Sequence, residues 1–359
     1  MTLRVVEWST GTVGRHAIAG IDARPDLELV GVWVSDLAKV GRDAGELAGL
    51  GRDLGVVATN DRDALIALKP DCIVHTAMTD DRIFEAIDDL ISFVEAGINV
   101  VSSGPVVLQF PAGILDVDLL DRIEAAGRTG NASLHVNGID PGFANDVLPL
   151  AMTSLSQRID ELRCLEIADY STYYQPVVMK TIFGFGQPMD ETPILLYPGV
   201  LAMGWGSVVR QLAAGLGVRL DEPLVERHER VAADRDYSTV SVDIAEGTMA
   251  ALHFEVIGQV GGVDRVVLEH YTRTHPDQCP DWPKPAEGDG CYRILISGEP
   301  EMTVEFTHRG EHGDHNVSGM IITAMRLVNS VAAVVDAKPG LVTALDLPPV
   351  TGRGLVARP

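Results

Sequence analysis

Hydrophobic residues along the first 145 positions follow two alternating patterns. Short apolar runs of strand length occur at 3–8, 27–34, 56–58, 71–75, 98–101 and 134–136. Between several of them, apolar residues recur three and four apart: at 15–21, at 61–68, at 82–96, and in a helix opened by Pro111 and running to Ala126. Strand–helix alternation predicts an α/β domain with a parallel sheet covered on both faces, and right-handed crossovers make it doubly wound. After about residue 150 the period changes to two. Runs at 161–167, 224–231, 238–244, 249–260, 263–274, 291–297 and 302–306 alternate apolar and polar residues, and Gly261-Gly262 joins two of them as a hairpin turn. They predict an open, mainly antiparallel sheet. A helix at 203–214 interrupts it, and a loop rich in Pro and Gly spans 274–290. A long apolar helix at 317–335 is expected to return to the first domain. The expected division is a first domain over 1–147, a second over 148–314, and a helix and tail over 315–359.

Composition narrows the function classes. With 359 residues, 46% hydrophobic and 22% charged, the chain is globular and large enough for two domains. The 51 acidic residues outweigh the 28 basic ones, for a net charge of −23, and no Lys/Arg cluster is present. Neither nucleic acid nor an anionic membrane surface is an expected partner. No stretch approaches 18 uninterrupted apolar residues and the N-terminus enters a strand directly, so no membrane span or signal peptide is expected, and a cytoplasmic location is the expectation. Cys72, Cys164, Cys279 and Cys291 lack C-x-x-C spacing and fit buried free thiols.

The candidate chemistry starts at Ser9-Thr10-Gly11-Thr12-Val13-Gly14, between the first strand and the first helix. A strand, a tight turn and a helix N-terminus form a phosphate-binding corner. Gly11 would let a pyrophosphate approach the backbone, and Gly14 would let the helix pack on the strand. Ser9 stands where the first glycine of G-x-G-x-x-G belongs, which is tolerable if its φ stays negative. After the second strand, Ser35, Lys39 and Arg42 suit the 2′-phosphate of NADP, whereas Asp36 suits the 2′-hydroxyl of NAD. The balance leans to NADP. The fourth and fifth strands end at His75-Thr76-Ala77 and Ser102-Ser103, hydroxyl-rich positions suited to the nicotinamide ribose and carboxamide.

Asn137 to Asp146, with Asp140-Pro141-Gly142-Phe143, makes a sharp turn that fits either the nicotinamide end of the site or a domain hinge. Tyr170, Tyr173 and Tyr174 precede Phe183-Gly184-Phe185-Gly186, and fit either a pocket with hydroxyl handles or core aromatics. His308, His312 and His315 suit no helix face cleanly, and no metal site is expected.

Taken together, Ser9–Arg15, Lys39–Glu46, Val100–Ser103, Gly138–Leu150, Gly184–Gly186 and the stretch from Val328 to Pro348 resemble the dihydrodipicolinate-reductase-like oxidoreductases. Within that group the resemblance is to the branch of 2,4-diaminopentanoate dehydrogenase and the native NAD(P)-dependent amine dehydrogenases. It implies an N-terminal Rossmann domain that binds the dinucleotide, and an α+β substrate and dimerisation domain. It also implies a homodimer paired through the second sheet, and hydride transfer between nicotinamide and a carbon bearing an amine or imine. The His-His motif and Lys of true dihydrodipicolinate reductases have no counterpart here.

The resemblance also implies a glutamate in the loop after the fifth strand, but its position falls on Val106 or Val107. Valine neither pairs with an ammonium nor moves a proton. Gln109, Asp140, Tyr173 and His75 are the candidates to replace it. Val106, Val107, Phe143, Tyr170, Tyr173, Met179 and Phe183 are the expected substrate-pocket residues. The expected substrate is a small amine or carbonyl compound. An ammonia-independent carbonyl reductase, or a sensor that binds NAD(P) without turnover, is the alternative.

Overall fold

A computed structural model describes residues 2–310 and 313–356. The chain divides into two compact units, Met1–Phe143 with Met320–Pro359, and Ala144–Gly319. In chain order the first unit contains β1 (Leu3–Trp8), α1 (Gly14–Asp22), β2 (Leu27–Trp33), α2 (Ala44–Ala48), β3 (Ala58–Thr59), α3 (Arg62–Ala67), β4 (Cys72–His75), α4 (Ile83–Glu95), β5 (Asn99–Ser102), α5 (Val117–Gly130) and β6 (Ser133–Val136). The second contains α6 (Val147–Thr153), β7 (Arg158–Asp169), α7 (Val200–Gly204), α8 (Gly206–Leu216), β8 (Val225–Ala232), β9 (Tyr237–Ser238), β10 (Asp243–Ile244), β11 (Met249–Val260), β12 (Val263–Arg273), β13 (Gly290–Glu299) and β14 (Met302–Phe306). Helix α9 (His315–Val335) starts in the second unit and ends in the first, where β15 (Gly340–Val342) follows.

The first sheet has seven strands in the order β15-β6-β5-β4-β1-β2-β3, each pair parallel. Both faces are covered, so its strands are apolar at consecutive positions. Val6, Ile73 and Val100 join a cluster with Leu90, Phe93 and Ile123 of α4 and α5. Their neighbours Val5, Cys72, Val74 and Val101 join Ala17 and Ile21 of α1, and Ala324, Leu327, Val331 and Val334 of α9. Helix α9 is long and apolar enough to cross a membrane by length and composition alone. Its residues three and four apart instead fill the core of the first unit.

The second sheet has six strands in the order β14-β13-β7-β12-β11-β8. Only β7 with β12 is a parallel pair, and the rest are antiparallel.

Several elements depart from the sequence expectation. The helix expected from Pro111 begins at Val117, after turns in which Gly113 takes a φ of +78°. The expected helix at 203–214 is two helices broken at Trp205, which lies between Gly204 and Gly206, poor helix formers. The run at 238–244 is no strand of the large sheet. It forms the separate hairpin β9–β10, turned by Thr239, whose hydroxyl accepts from the Ser241 and Val242 amides. Strand β15 and helix α6, too short to show a period, were not expected.

Candidate active site

The corner after β1 is built around a strained serine. Ser9 takes a φ of 110°, a conformation that favours glycine, which corrects the expectation of negative φ there. Its amide donates to the Trp33 carbonyl at 3.1 Å, which fixes the turn against β2. A Cβ on Gly14 would run into the Ser9 carbonyl and lie 2.7 Å from the Thr76 hydroxyl, so α1 packs on the turn only because Gly14 has none. Gly11 is different: a Cβ there would meet nothing closer than the Ser9 hydroxyl at 3.8 Å. Neither packing nor positive φ calls for glycine at 11, which leaves close approach of a ligand as its physical reason. Helix α1 has no side-chain cap at Val13, as suits a helix N-terminus turned to an anion. Lys39 brings its ammonium to the same turn, donating to the Thr10 hydroxyl at 3.1 Å and carbonyl at 3.3 Å. These residues fit a dinucleotide pyrophosphate.

Beyond β2, Ser35 and Asp36 are exposed. Asp36 caps the turn Leu37–Lys39 by accepting from the Ala38 amide at 2.9 Å. Arg42 reaches Glu46 at 2.9 Å in a surface ion pair. Thr76, at the end of β4, donates to the carboxyl of Glu7. Glu7 is fully buried, and burial raises its pKa well above the usual carboxyl value. His75 is also buried. Its Nδ1 lies 2.9 Å from the Ser102 hydroxyl, and burial pushes its pKa down to about 4. Ala77 and Ser103 are half-buried beside these strand ends. Asn137 directs its amide into α9, donating to the Ser330 hydroxyl at 3.0 Å.

The loop after β5 coils into a short 3-10 turn, Val106–Gln109. Val107 belongs to the core with Trp8 and Phe93, while Val106 is half-buried. Of the two positions expected to correspond to the family's glutamate, only Val106 lies outside that core cluster. Gln109 is buried, and Asp140 is half-buried at the sharp turn. Phe143 lies under Arg326, whose guanidinium is 5.1 Å from the ring centre and whose Nη2 donates to the Gly142 carbonyl.

The second unit gathers its aromatics as expected, but mostly as core. Met179 and Phe183 are buried in the main cluster, and Tyr170 and Tyr173 pack on it half-buried. Tyr170 lies 4.6 Å from Tyr173 and 6.1 Å from Phe183, ring centre to ring centre.

Beside these aromatics lies a group that the sequence reading missed. The registers of the sheet place Phe306, Tyr292, Glu166, His270 and Phe254 in one row across β14, β13, β7, β12 and β11. Glu166 accepts from Tyr170 at 3.1 Å and from Tyr292 at 3.3 Å, and lies 2.8 Å from Nδ1 of His270. Burial would raise its pKa, but the charge and hydrogen bond of His270, with His315 and Tyr170, hold it below the usual value. His308 and His315 stack at 4.2 Å rather than splaying around a common point. Burial lowers both, His308 to about 4. His312 lies outside the described residues.

The opposite face of the same sheet carries an ion network. Arg163 donates to Glu255 at 2.7 Å and to Glu269 at 2.5 Å, and His253 reaches Glu269 at 2.8 Å. His253, Glu255 and Glu269 are close enough to hold a metal, but the Arg163 guanidinium already bridges the two carboxylates.

Residues 143–355 match the family described as the 2,4-diaminopentanoate dehydrogenase C-terminal domain. An amine dehydrogenase of Streptomyces virginiae is 43% identical over 357 residues, 98% of each chain. A 2,4-diaminopentanoate dehydrogenase of Acetoanaerobium sticklandii is 25% identical over 294 residues, 80% of this chain and 78% of that one. Among solved structures, an amine dehydrogenase from Mycobacterium smegmatis shares the fold, with a TM-score of 0.79 at 20% identity over 98% of each chain. The phosphate corner, the Rossmann sheet and a relative similar from end to end lead to one conclusion: the chain belongs to the amine dehydrogenase and 2,4-diaminopentanoate dehydrogenase family and is an oxidoreductase that uses a nicotinamide cofactor.

Proposed function

We propose that the protein interconverts a largely apolar primary amine and its carbonyl compound, with NADP preferred over NAD. It works as a cytoplasmic homodimer paired through the second sheet. The observation that carries the cofactor reading is the corner: Gly11 leaves room for the pyrophosphate, and Lys39 brings a cation to the same turn. Ser9, Thr10, Thr12 and Val13 complete the cradle. Ser35 and Arg42 then take the 2′-phosphate, Arg42 by releasing Glu46. Ser102, Ser103, Thr76 and Ala77 edge the nicotinamide half. Four free cysteines fit a reducing compartment.

Fluorescence titration with NADPH and NADH tests the cofactor assignment, and tighter binding of NADPH is expected. Aldehydes and ketones are then screened with and without ammonia. Turnover that requires ammonia is the expected result. Val106 favours a second reading, since an apolar side chain stands where the resemblance implies an acid. Turnover without ammonia would make the protein a carbonyl reductase, and binding without turnover a sensor.

A further inference from the structure

Glu7 is an acid where packing calls for an apolar residue. It lies two residues beyond Val5 on the face of β1 that α1 and α9 cover, opposite Val32 of β2 and Val74 of β4. Its side chain is fully buried. Oε1 meets the Thr76 hydroxyl, and Oε2 has no hydrogen-bond partner. The surrounding elements carry Arg15 and His16 of α1, His75 of β4 and Arg326 of α9, with Lys39 at the turn, and none of them offsets the cost of burying the charge. An ionised carboxylate here would leave one oxygen without a donor and the charge without a cation. A neutral acid leaves only a carbonyl oxygen unpaired. Thr76 donates to the carboxylate form, and in the neutral form the roles reverse. The acid's own O–H then donates to the Thr76 oxygen, and the hydroxyl is free to donate to the Trp8 carbonyl at 3.4 Å. That hydroxyl also sits where the corner closes. A Cβ on Gly14 would lie 2.7 Å from it, so it lies against the first residue of α1, and Ser9 with its positive φ directly follows Trp8.

We propose that Glu7 is a positioning residue for the nicotinamide cofactor and works as a neutral acid, holding Thr76 against the Ser9 turn and keeping negative charge away from the pyrophosphate. The inference rests on the dinucleotide lying at this corner, as read above. Loss of the Glu7 proton at alkaline pH turns the Thr76 hydroxyl back to the carboxylate and releases the Trp8 carbonyl. It also sets a buried anion beside a site built for an anion, where the low dielectric strengthens the repulsion. Both effects weaken dinucleotide binding as pH rises. The coupling is reciprocal: a bound dinucleotide tightens the hold of Glu7 on its proton, so binding at alkaline pH takes a proton up from solvent.

The test follows NADPH binding to the full-length protein by fluorescence, from neutral pH to about pH 10, beside Glu7→Gln, Glu7→Leu and Lys39→Met. Glu7→Leu keeps the bulk and loses the donor, so its Kd at neutral pH should rise about 2–10-fold, the worth of one hydrogen bond. Glu7→Gln keeps a neutral donor and should rescue that loss. Its amide cannot ionise, so the two profiles should part as pH rises, until the parent's Kd is about 10-fold the higher. Groups common to both proteins, Lys39 included, cancel in that ratio. Without cofactor and at neutral pH, the infrared difference between parent and Glu7→Gln should show the carbonyl stretch of a protonated acid. Absence of that band, or profiles that run parallel, overturns the proposal. Both readouts need only Glu7→Gln, so they hold even if Glu7→Leu does not fold. Lys39→Met reads the corner itself. If it weakens NADPH binding while the Glu7 profiles run parallel, the corner assignment survives and the role of Glu7 falls. If Lys39→Met binds NADPH as the parent does, both fall.

Discussion

The two sheets solve the placement of chemistry in opposite ways. In the parallel sheet every functional candidate sits at a strand's C-terminal end, so each group is a contiguous stretch: Ser9–Gly14, Ser35–Arg42, His75–Ala77, Ser102–Ser103. In the mixed sheet the chemistry runs across the strands, and Glu166, His270 and Tyr292 meet only through register. A site along the chain can be found by motif. A site across strands exists only after pairing.

The contrast can be broken at several points, starting with the largest effect. Arg163→Met removes the cation that bridges Glu255 and Glu269, leaving Glu255 with the longer Arg227 contact and Glu269 with His253. Breaking such a network costs about 3–5 kcal/mol, so urea unfolding should show a loss of that order. A loss below about 1 kcal/mol would mean that the network is incidental to the second sheet.

Acid should strain the first unit through two histidines. Burial lowers both His75 and His135 to about 4. Between the ordinary histidine value and that point, the unfolded chain binds protons that the folded one refuses. Stability should therefore fall as pH drops from about 6.5 to about 4, by up to about 3 kcal/mol for each group. Thermal unfolding of His135→Gln across that range should show a shallower slope, and an unchanged slope would count against the assignment. In the second unit Glu269 works lower. Burial opposes its charge, but His253, Tyr271 and Arg163 outweigh burial and hold it at about 2. Its contribution persists above the ordinary glutamate value and disappears as pH falls from about 4.5 towards 2.

Gly14→Ala should cost about 1–3 kcal/mol by overpacking, and should weaken NADPH binding along with stability, because Ser9 and the helix N-terminus must both move. Thermal melts with and without NADPH separate the two losses. Ser9→Gly should do the reverse on a smaller scale, relieving the positive φ and raising stability by about 1 kcal/mol. A lower melting temperature would show that the Ser9 side chain contributes more than its backbone strain costs.

The parallel domain was legible because period and punctuation agree. Gly97 ends a helical pattern and Gly11 opens a corner, and neither needs distant information. The register-built row was not legible, although one trace of it was present. In Leu162-Arg163-Cys164-Leu165-Glu166 alternate residues face inward, so Glu166 is an acid at an apolar parity. Its partner lies more than 100 residues later. Ser9 shows a different failure: spacing places the residue at the turn, but only the backbone reveals that it adopts a glycine conformation.

Helix α9 has a consequence for how the protein comes into being. The first unit is complete only with residues from Met320 onward, which supply α9's core stripe and the edge strand β15. At a synthesis rate of 5–20 residues per second, the stretch between Phe143 and Met320 takes roughly 10–35 s to emerge. For that interval six nascent strands carry an apolar face that α1 covers only in part, while the sheet inserted between the two halves of their domain is still being made. The unit built on the parallel sheet is begun first and finished last.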